Sequence, residues 1–263
     1  MTDGRDGGYS DVGRVLVVMP TYNEVDNVGP LTERVRRAAP AVDVLIADDN
    51  SPDGTGAVAD RLATRDGHVH VLHRPGKQGL GAAYAAGFDW AREHGYDAVV
   101  EMDADGSHRP EDLPRLLDEA RRSDVVIGSR WAPGGRADGL PWRRRVLSRA
   151  GNLYARLALG MLVRDATGGY RVYRMPALDR IDIRSASSHG FAFQVELSRR
   201  AQQAGCRIAE VPITFAERER GTSKMSFLII AEALLRVTAW AVQDRRTALA
   251  RALRGPAQHA RWP

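Results

Sequence analysis

Residues 97–108 read DAVVEMDADGSH. A short apolar run rich in valine stops at acidic residues and a glycine turn. That is the pattern of a buried strand delivering polar groups to one of its ends. The pattern recurs along the chain. Residues 14–19, RVLVVM, lead into Pro20 and the motif TYNE; residues 42–47, VDVLIA, lead into DDNSPDGTG; residues 124–128, DVVIG, lead into SRW. A further short strand is expected over 68–72, HVHVL. Helical periodicity fills the intervals: Asn27 to Ala39, the stretch after the DGTG turn to about Arg65, the alanine-rich Gly79 to Glu93, and Pro110 to Arg122. Alternating strands and helices predict an α/β fold with a mainly parallel sheet flanked by helices on both faces. Ligands of such sheets sit outside the carboxyl ends of the strands, which is where the polar motifs fall.

The second half is less regular. A helix with a strongly basic start is expected over 145–162, a turn and strand over 165–174, a helix from Gly190 to Gly205, a strand over 207–215 interrupted by Pro212, and a long apolar-faced helix over 225–243. Residues 1–12 read as a disordered lead, 13–223 as one catalytic-size domain, 224–243 as an amphipathic helix, and 244–263 as a basic, frayed tail.

The composition sets outer limits. The 263 residues are 43% hydrophobic and 27% charged, which excludes wholesale disorder. One cysteine, Cys206, forbids an intrachain disulfide and suits a cytoplasmic setting. The first thirteen residues lack the basic-then-apolar order of a secretory leader. No segment reaches the roughly 18 apolar residues of a membrane span; the nearest, 227–242, is broken by Glu232 and Arg236. The net charge is +5, and all but Lys77 and Lys224 of the 38 basic residues are arginine, which suits two-point phosphate recognition. Aromatic residues are sparse among these cations and no nucleic-acid recognition module is present, so no nucleic-acid partner is expected.

Asp103 and Asp105 can hold a hard divalent cation that keeps water and phosphate oxygens as its other ligands. Asp48 and Asp49 would be costly to bury alone and are expected to face a ligand, while Ser51 to Asp53 serve turn and cap chemistry. Tyr22 can stack on a nucleotide and Glu24 can accept a hydrogen bond from it. The segment GKQGLGAA, residues 76–83, lacks the spacing of a nucleoside-triphosphatase phosphate loop and is expected to allow close helix–sheet packing. Arg143, Arg144, Arg145 and Arg149 crowd one helix start, where backbone N–H groups also attract anions.

The order strand–PTYNE, strand–DDNSPDGT, strand–DAD resembles the nucleotide-sugar half of the family 2 glycosyltransferases, which have the GT-A (Rossmann-like) fold. GSRW (128–131), LPWRRRVLSRAGN (140–152), DATGGYRVYR (165–174), SSHGFAFQVEL (187–197) and VPITFAERERGTSKM (211–225) extend the resemblance to the polyprenol- or dolichol-phosphate mannosyltransferases over about residues 12–230. The resemblance implies donor contacts by Pro20, Tyr22, Glu24, Ala47, Asp49, Asp103, Ala104, Asp105, Arg130, Arg218 and Lys224. It implies an acceptor-phosphate site at Arg130, Arg144 and Ser148, and Mg2+ or Mn2+ held by Asp103 and Asp105. Ser107, where relatives often carry a glutamine, is a third and weaker candidate ligand. Asp105, Arg218 and Lys224 are the residues expected to act on the leaving group, the last two on a segment that can close over the donor.

The implied reaction is inverting transfer of mannose from GDP-mannose to a polyprenyl phosphate at the inner face of the cell membrane. A phosphate monoester is already ionised near neutral pH, so no general base is assigned. Asp165 and Glu196 are the nearest candidates for one, and Glu196 falls in a packing pattern. Met225, Leu228, Ile229, Leu235 and Trp240, with Trp131 and Trp142, suit a membrane interface, and a membrane-embedded partner protein fits the resemblance. A UDP-glucose-dependent transferase and a non-catalytic nucleotide-sugar sensor are the competing readings. The roles of His189 and Phe191 stay open.

Overall fold

The computed structural model describes Tyr9 and residues 11–186, 190–216 and 227–253. The strands are β1 (Val15–Thr21), β2 (Asp43–Asp48), β3 (Val69–His73), β4 (Ala98–Glu101), β5 (Val125–Ser129), β6 (Arg136–Ala137), β7 (Arg171–Arg174), β8 (Ile208–Pro212) and β9 (Thr214–Phe215). The helices are α1 (Val28–Ala38), α2 (Thr55–Arg65), α3 (Leu80–Glu93), α4 (Leu113–Glu119), α5 (Trp142–Leu159), α6 (Met175–Ile181), α7 (Gly190–Gln203) and α8 (Phe227–Leu253). Seven strands form one sheet in the order β3-β2-β1-β4-β7-β5-β8. All neighbours are parallel except β7, which runs antiparallel between β4 and β5. The mainly parallel sheet expected from the alternating pattern is therefore present.

Alternation along β1 divides the core. Val15, Val17 and Met19 pack with α1 and α4, while Leu16 and Val18 pack with α3 and α7. Both faces are covered, which is why these strands are apolar throughout. Pro20 lies inside β1 rather than ending it. The Val18 carbonyl accepts from Met102 on the β4 side, so Pro20, two residues on, faces the same edge beyond the end of β4. No ladder bond is lost there.

Several boundaries differ from the expectations. Val12 is buried and its N–H bonds to the Tyr9 carbonyl, so ordered chain begins within the segment read as a disordered lead. Helix α5 starts at Trp142, directly after Pro141, and Gly160 ends it in the left-handed region at φ 62°. The sequence reading assigns no element between Arg174 and Gly190, yet α6 forms there. Pro212 belongs to the edge strand β8, after which the chain turns into β9 and pairs with β6 in a second small sheet. Helix α8 runs to Leu253, through ten residues expected to fray. Arg199 of α7 pairs with Asp244, Gln203 donates to the same carboxylate at 3.0 Å, and Tyr154 of α5 meets Thr238 at 2.6 Å. Among the described residues no helix is long and apolar enough to cross a membrane.

The glycine-rich segment before α3 packs differently from the expectation. A Cβ on Gly81 would meet Phe193 of α7 at 2.9 Å, whereas the close helix–sheet approach is at Gly87, where a Cβ would lie 2.4 Å from Val18.

Candidate active site at the carboxyl edge of the sheet

Strand β4 stops at Glu101, so Asp103 and Asp105 lie in the following turn rather than on one strand face. Gly106, at φ 78°, makes that turn. Each carboxylate is oriented by a hydroxyl. Tyr84 of α3 donates to Asp103 Oδ1 at 3.0 Å, and Ser107 donates to Asp105 Oδ1 from its hydroxyl at 2.6 Å and its N–H at 3.0 Å. Ser107, the third and weaker candidate ligand, thus orients Asp105. Asp103 donates its N–H to His108 Nδ1 at 3.0 Å, and the buried His108 ring stacks on Tyr170 with centroids 5.1 Å apart. Ala104 is buried between the two acids. Among the described residues no group of three or more His, Cys, Asp or Glu side chains forms a metal cage. Two oriented carboxylates fit a hard divalent ion that takes the rest of its shell from water and diphosphate oxygens.

The loops after β1 and β2 are locked together. Asn23 and Asn50 both adopt the left-handed conformation, at φ 60° and 56°, which asparagine tolerates better than most residues. The Asn23 N–H donates to Ser51 Oγ at 3.1 Å, Glu24 N–H to Thr55 Oγ1 at 3.0 Å, and Val25 N–H to Asp53 Oδ2 at 3.1 Å. The turn role expected of Ser51 to Asp53 is therefore present. Asp48 is not ligand-facing as expected: it is buried and accepts from Thr21, from the Ser51 N–H and from the Ser51 hydroxyl. Asp49 pairs with the buried Arg74. Burial raises its carboxyl pKa, against the pull of Arg74. Tyr22 lies beneath Lys77, whose ammonium is 4.3 Å from the ring centroid, and Glu24 accepts from Asn27 at 2.7 Å. Ala47 is buried within β2 opposite Pro20.

Arg130 lies beyond the end of β5 and is buried. Its Nε and Nη2 donate to Asp165 at 2.8 and 2.7 Å, and Nη2 also reaches Thr167 at 2.9 Å. Asp165 is held ionised: burial works against the charge, but the Arg130 guanidinium lowers the pKa below the usual carboxylate range. Two of the three guanidinium nitrogens of Arg130, the residue expected to meet donor and acceptor phosphates, are thus engaged by Asp165 and Thr167. Asn152 of α5 joins the network through Thr167 at 3.0 Å, tying the basic helix to the sheet edge. Arg144 and Ser148 are half-buried on α5. Arg218, Lys224 and His189, and the side chain of Phe191, lie outside the described residues.

Residues 16–182 match the family model described as glycosyl transferase family 2. The chain belongs to that family. A polyprenol monophosphomannose synthase of Mycolicibacterium smegmatis is 52% identical to this glycosyltransferase over 234 residues, 88% of either chain. An undecaprenyl-phosphate mannosyltransferase of Micrococcus luteus is 53% identical over 232 residues, 88% of this chain and 96% of its own. Among solved structures, glucosyl-3-phosphoglycerate synthase from Mycobacterium tuberculosis in complex with Mn2+, UDP-glucose and phosphoglyceric acid superposes with a TM-score of 0.62 at 18% identity, over 89% of this chain and 82% of that one. At that identity the likeness is one of fold.

Three buried residues of the glycosyltransferase escaped the sequence reading. Glu101 is fully buried two residues before Asp103, and burial pushes its pKa up to about 8, while Arg171 and a hydrogen bond from Gln194 oppose the rise. Arg171 is itself buried and bonds to the carbonyls of Ala166, Gly168 and Gln194 and to the Tyr173 hydroxyl. His108 is the third. A charged residue inside an apolar strand is a legible signal, but its partners come from β7 and α7, far along the chain. Glu196 bonds to Arg200 at 2.6 Å, in keeping with the packing role read for it.

Proposed function

We propose that this glycosyltransferase moves mannose from GDP-mannose to a polyprenyl phosphate with inversion, releasing GDP. The reading is carried by the 52% and 53% identity, along 88% of the chain, to a polyprenol monophosphomannose synthase and an undecaprenyl-phosphate mannosyltransferase. The arrangement of charge supports it. Acidic residues line the sheet edge, and an arginine-rich helix beside them carries exposed apolar side chains, which suits a donor with a diphosphate and an acceptor that is both anionic and lipid.

In this mechanism an ionised phosphate oxygen of the acceptor attacks the anomeric carbon. The bond from that carbon to GDP breaks, and its electron pair stays on the leaving diphosphate oxygen. No proton is removed from the nucleophile, so no general base is needed. Asp103 and Asp105 would hold Mg2+ or Mn2+, which when bound offsets charge developing on the leaving group. Pro20, Tyr22, Glu24, Ala47 and Asp49 would frame the nucleoside. Arg144 and Ser148 would receive the acceptor phosphate, and Arg218 and Lys224 would close over the donor.

Helix α5 exposes Trp142 at 69% and Leu157 at 71%, next to arginines, a composition suited to peripheral contact with an anionic membrane at its cytoplasmic face. A membrane-embedded partner protein would dock on the same surface.

The test is transfer of labelled mannose from GDP-mannose to a short polyprenyl phosphate in detergent with Mg2+ or Mn2+, beside a UDP-glucose control. Metal-dependent mannolipid of β configuration is expected, and Asp105→Ala should lower its rate by about 10²–10³. Product of α configuration would refute inversion. Transfer from UDP-glucose alone would move the assignment to that donor, and GDP-mannose binding without turnover would favour a sensor.

A further inference from the structure

Trp131 and Arg149 meet where β5 gives way to the acceptor side of the molecule. Trp131 follows Arg130, and its N–H bonds to Ser129 Oγ at 3.3 Å, while the next N–H, of Ala132, bonds to the same oxygen at 2.9 Å. The main chain at Trp131 is therefore fixed. Its indole Nε1 is buried and has no hydrogen-bond partner among the described residues. An indole N–H can only donate, and a buried donor without an acceptor is uncommon enough to demand a cause.

Arg149 of α5 places its guanidinium carbon 4.7 Å from the Trp131 ring centroid. Among the described residues Arg149 has no carboxylate or hydrogen-bond partner, in contrast to Arg130, which is paired with Asp165. Contact with a ring face restrains a guanidinium without using its N–H donors. The pair thus combines a buried indole N–H and a full guanidinium fork, with no partner for either among the described residues.

The place is linked to the acidic site by packed side chains. Arg130 lies 5.3 Å from the Phe215 ring, Phe215 lies 5.9 Å from His108, and His108 accepts the Asp103 N–H. Arg149 also directly follows Ser148, assigned above to the acceptor.

We propose that Trp131 and Arg149 read the acceptor phosphate, the indole N–H donating to one phosphate oxygen and the guanidinium pairing with the others. This deepens the acceptor assignment of the preceding subsection and rests on it. It adds to that site Arg149, which, unlike Arg130, has no carboxylate partner among the described residues. The chemistry recognised is a phosphate monoester; an isoprenyl chain and inorganic phosphate are the two sources to be told apart.

The experiment uses the full chain and two conservative variants. Trp131→Phe keeps an aromatic ring but removes the pyrrole part that carries the N–H; Arg149→Met keeps the stem and removes the charge. Binding of citronellyl phosphate, citronellol and inorganic phosphate is measured by calorimetry, and KM is measured separately for GDP-mannose and for the isoprenyl phosphate. The wild type is expected to bind the isoprenyl phosphate more tightly than either the alcohol or inorganic phosphate. Each variant should weaken that binding about tenfold, in line with loss of one charge-assisted hydrogen bond. KM for GDP-mannose and the melting temperature should stay unchanged. The double variant should lose less than the product of the single losses, because both groups act on one phosphate.

Wild-type affinity for citronellyl phosphate in both variants would overturn the proposal, as would a rise confined to the KM for GDP-mannose. Equal binding of citronellyl phosphate and inorganic phosphate would show a bare anion site and overturn it as well. If the wild type binds citronellyl phosphate no better than citronellol, the acceptor assignment itself fails, and that result is distinct from the others.

Discussion

The acidic sheet edge and the basic face of α5 carry opposite charges, and they are built in opposite ways. Every carboxylate read at the edge is gripped: Asp48 by Thr21 and Ser51, Asp49 by Arg74, Asp103 by Tyr84, Asp105 by Ser107. On α5, Arg143 and Arg149 lie over tryptophan rings, and neither they nor Arg144 has an acidic partner among the described residues. The edge is oriented by the fold's own hydrogen bonds before any ligand arrives. The helix face offers charge beside exposed apolar side chains such as Trp142 and Leu157.

The link between the two regions is the place to break this contrast. Replacing Asp165 with alanine would leave the Arg130 guanidinium buried without its partner. Denaturant unfolding should show a loss of about 3–5 kcal/mol; a loss below about 1 kcal/mol would mean that Arg130 can turn outward, as the α5 arginines do. Glu101 tests the edge from beneath. Its carboxyl keeps its proton in the folded chain up to about pH 8, against 4.5 as the ordinary value. Folding therefore binds a proton between those limits, and stability should fall as pH rises through that window, by up to about 1.4 kcal/mol per pH unit. Glu101→Gln should flatten the slope, as read by melting temperature across pH 5–9; an unchanged slope would place its origin elsewhere.

A smaller effect is expected at Ser107. Ser107→Ala removes the hydroxyl that orients Asp105 and should cost about 1 kcal/mol of stability. Its transfer rate should fall while the KM for the acceptor stays constant. The smallest effect belongs to the helix: Arg143→Gln and Arg144→Gln together should change stability by no more than about 0.5 kcal/mol, because no acidic partner among the described residues is lost. A larger destabilisation would show that the basic face is structural after all.

The first half of the molecule was legible because its elements obey local rules. From β1 to β5, apolar runs of four to seven residues alternate with helical patterns, and each expected strand lies within a few residues of its observed place. Function was legible in the same stretches, since a parallel sheet sends every strand end to one edge. The second half obeys fewer local rules. The antiparallel β7, the short α6 and the extension of α8 depend on partners distant in sequence, such as Asp124, whose carbonyl accepts from Arg174, and Arg199, which pairs with Asp244.

Residue chemistry shows the same division. Sequence alone determined which residue types stand at the strand ends, that two aspartates close the β4 motif, and that arginines crowd the start of α5, because spacing and periodicity are properties of neighbours. Only the tertiary structure decided which charges are committed. Asp48 and Asp49 are adjacent, yet one is bound by turn hydroxyls and the other by Arg74; Arg130 and Arg149 are both arginines beside Trp131, yet among the described residues only Arg130 has a carboxylate. Hydrogen bonds and burial act at ångström range between segments far apart in the chain, and one-dimensional order does not carry those distances.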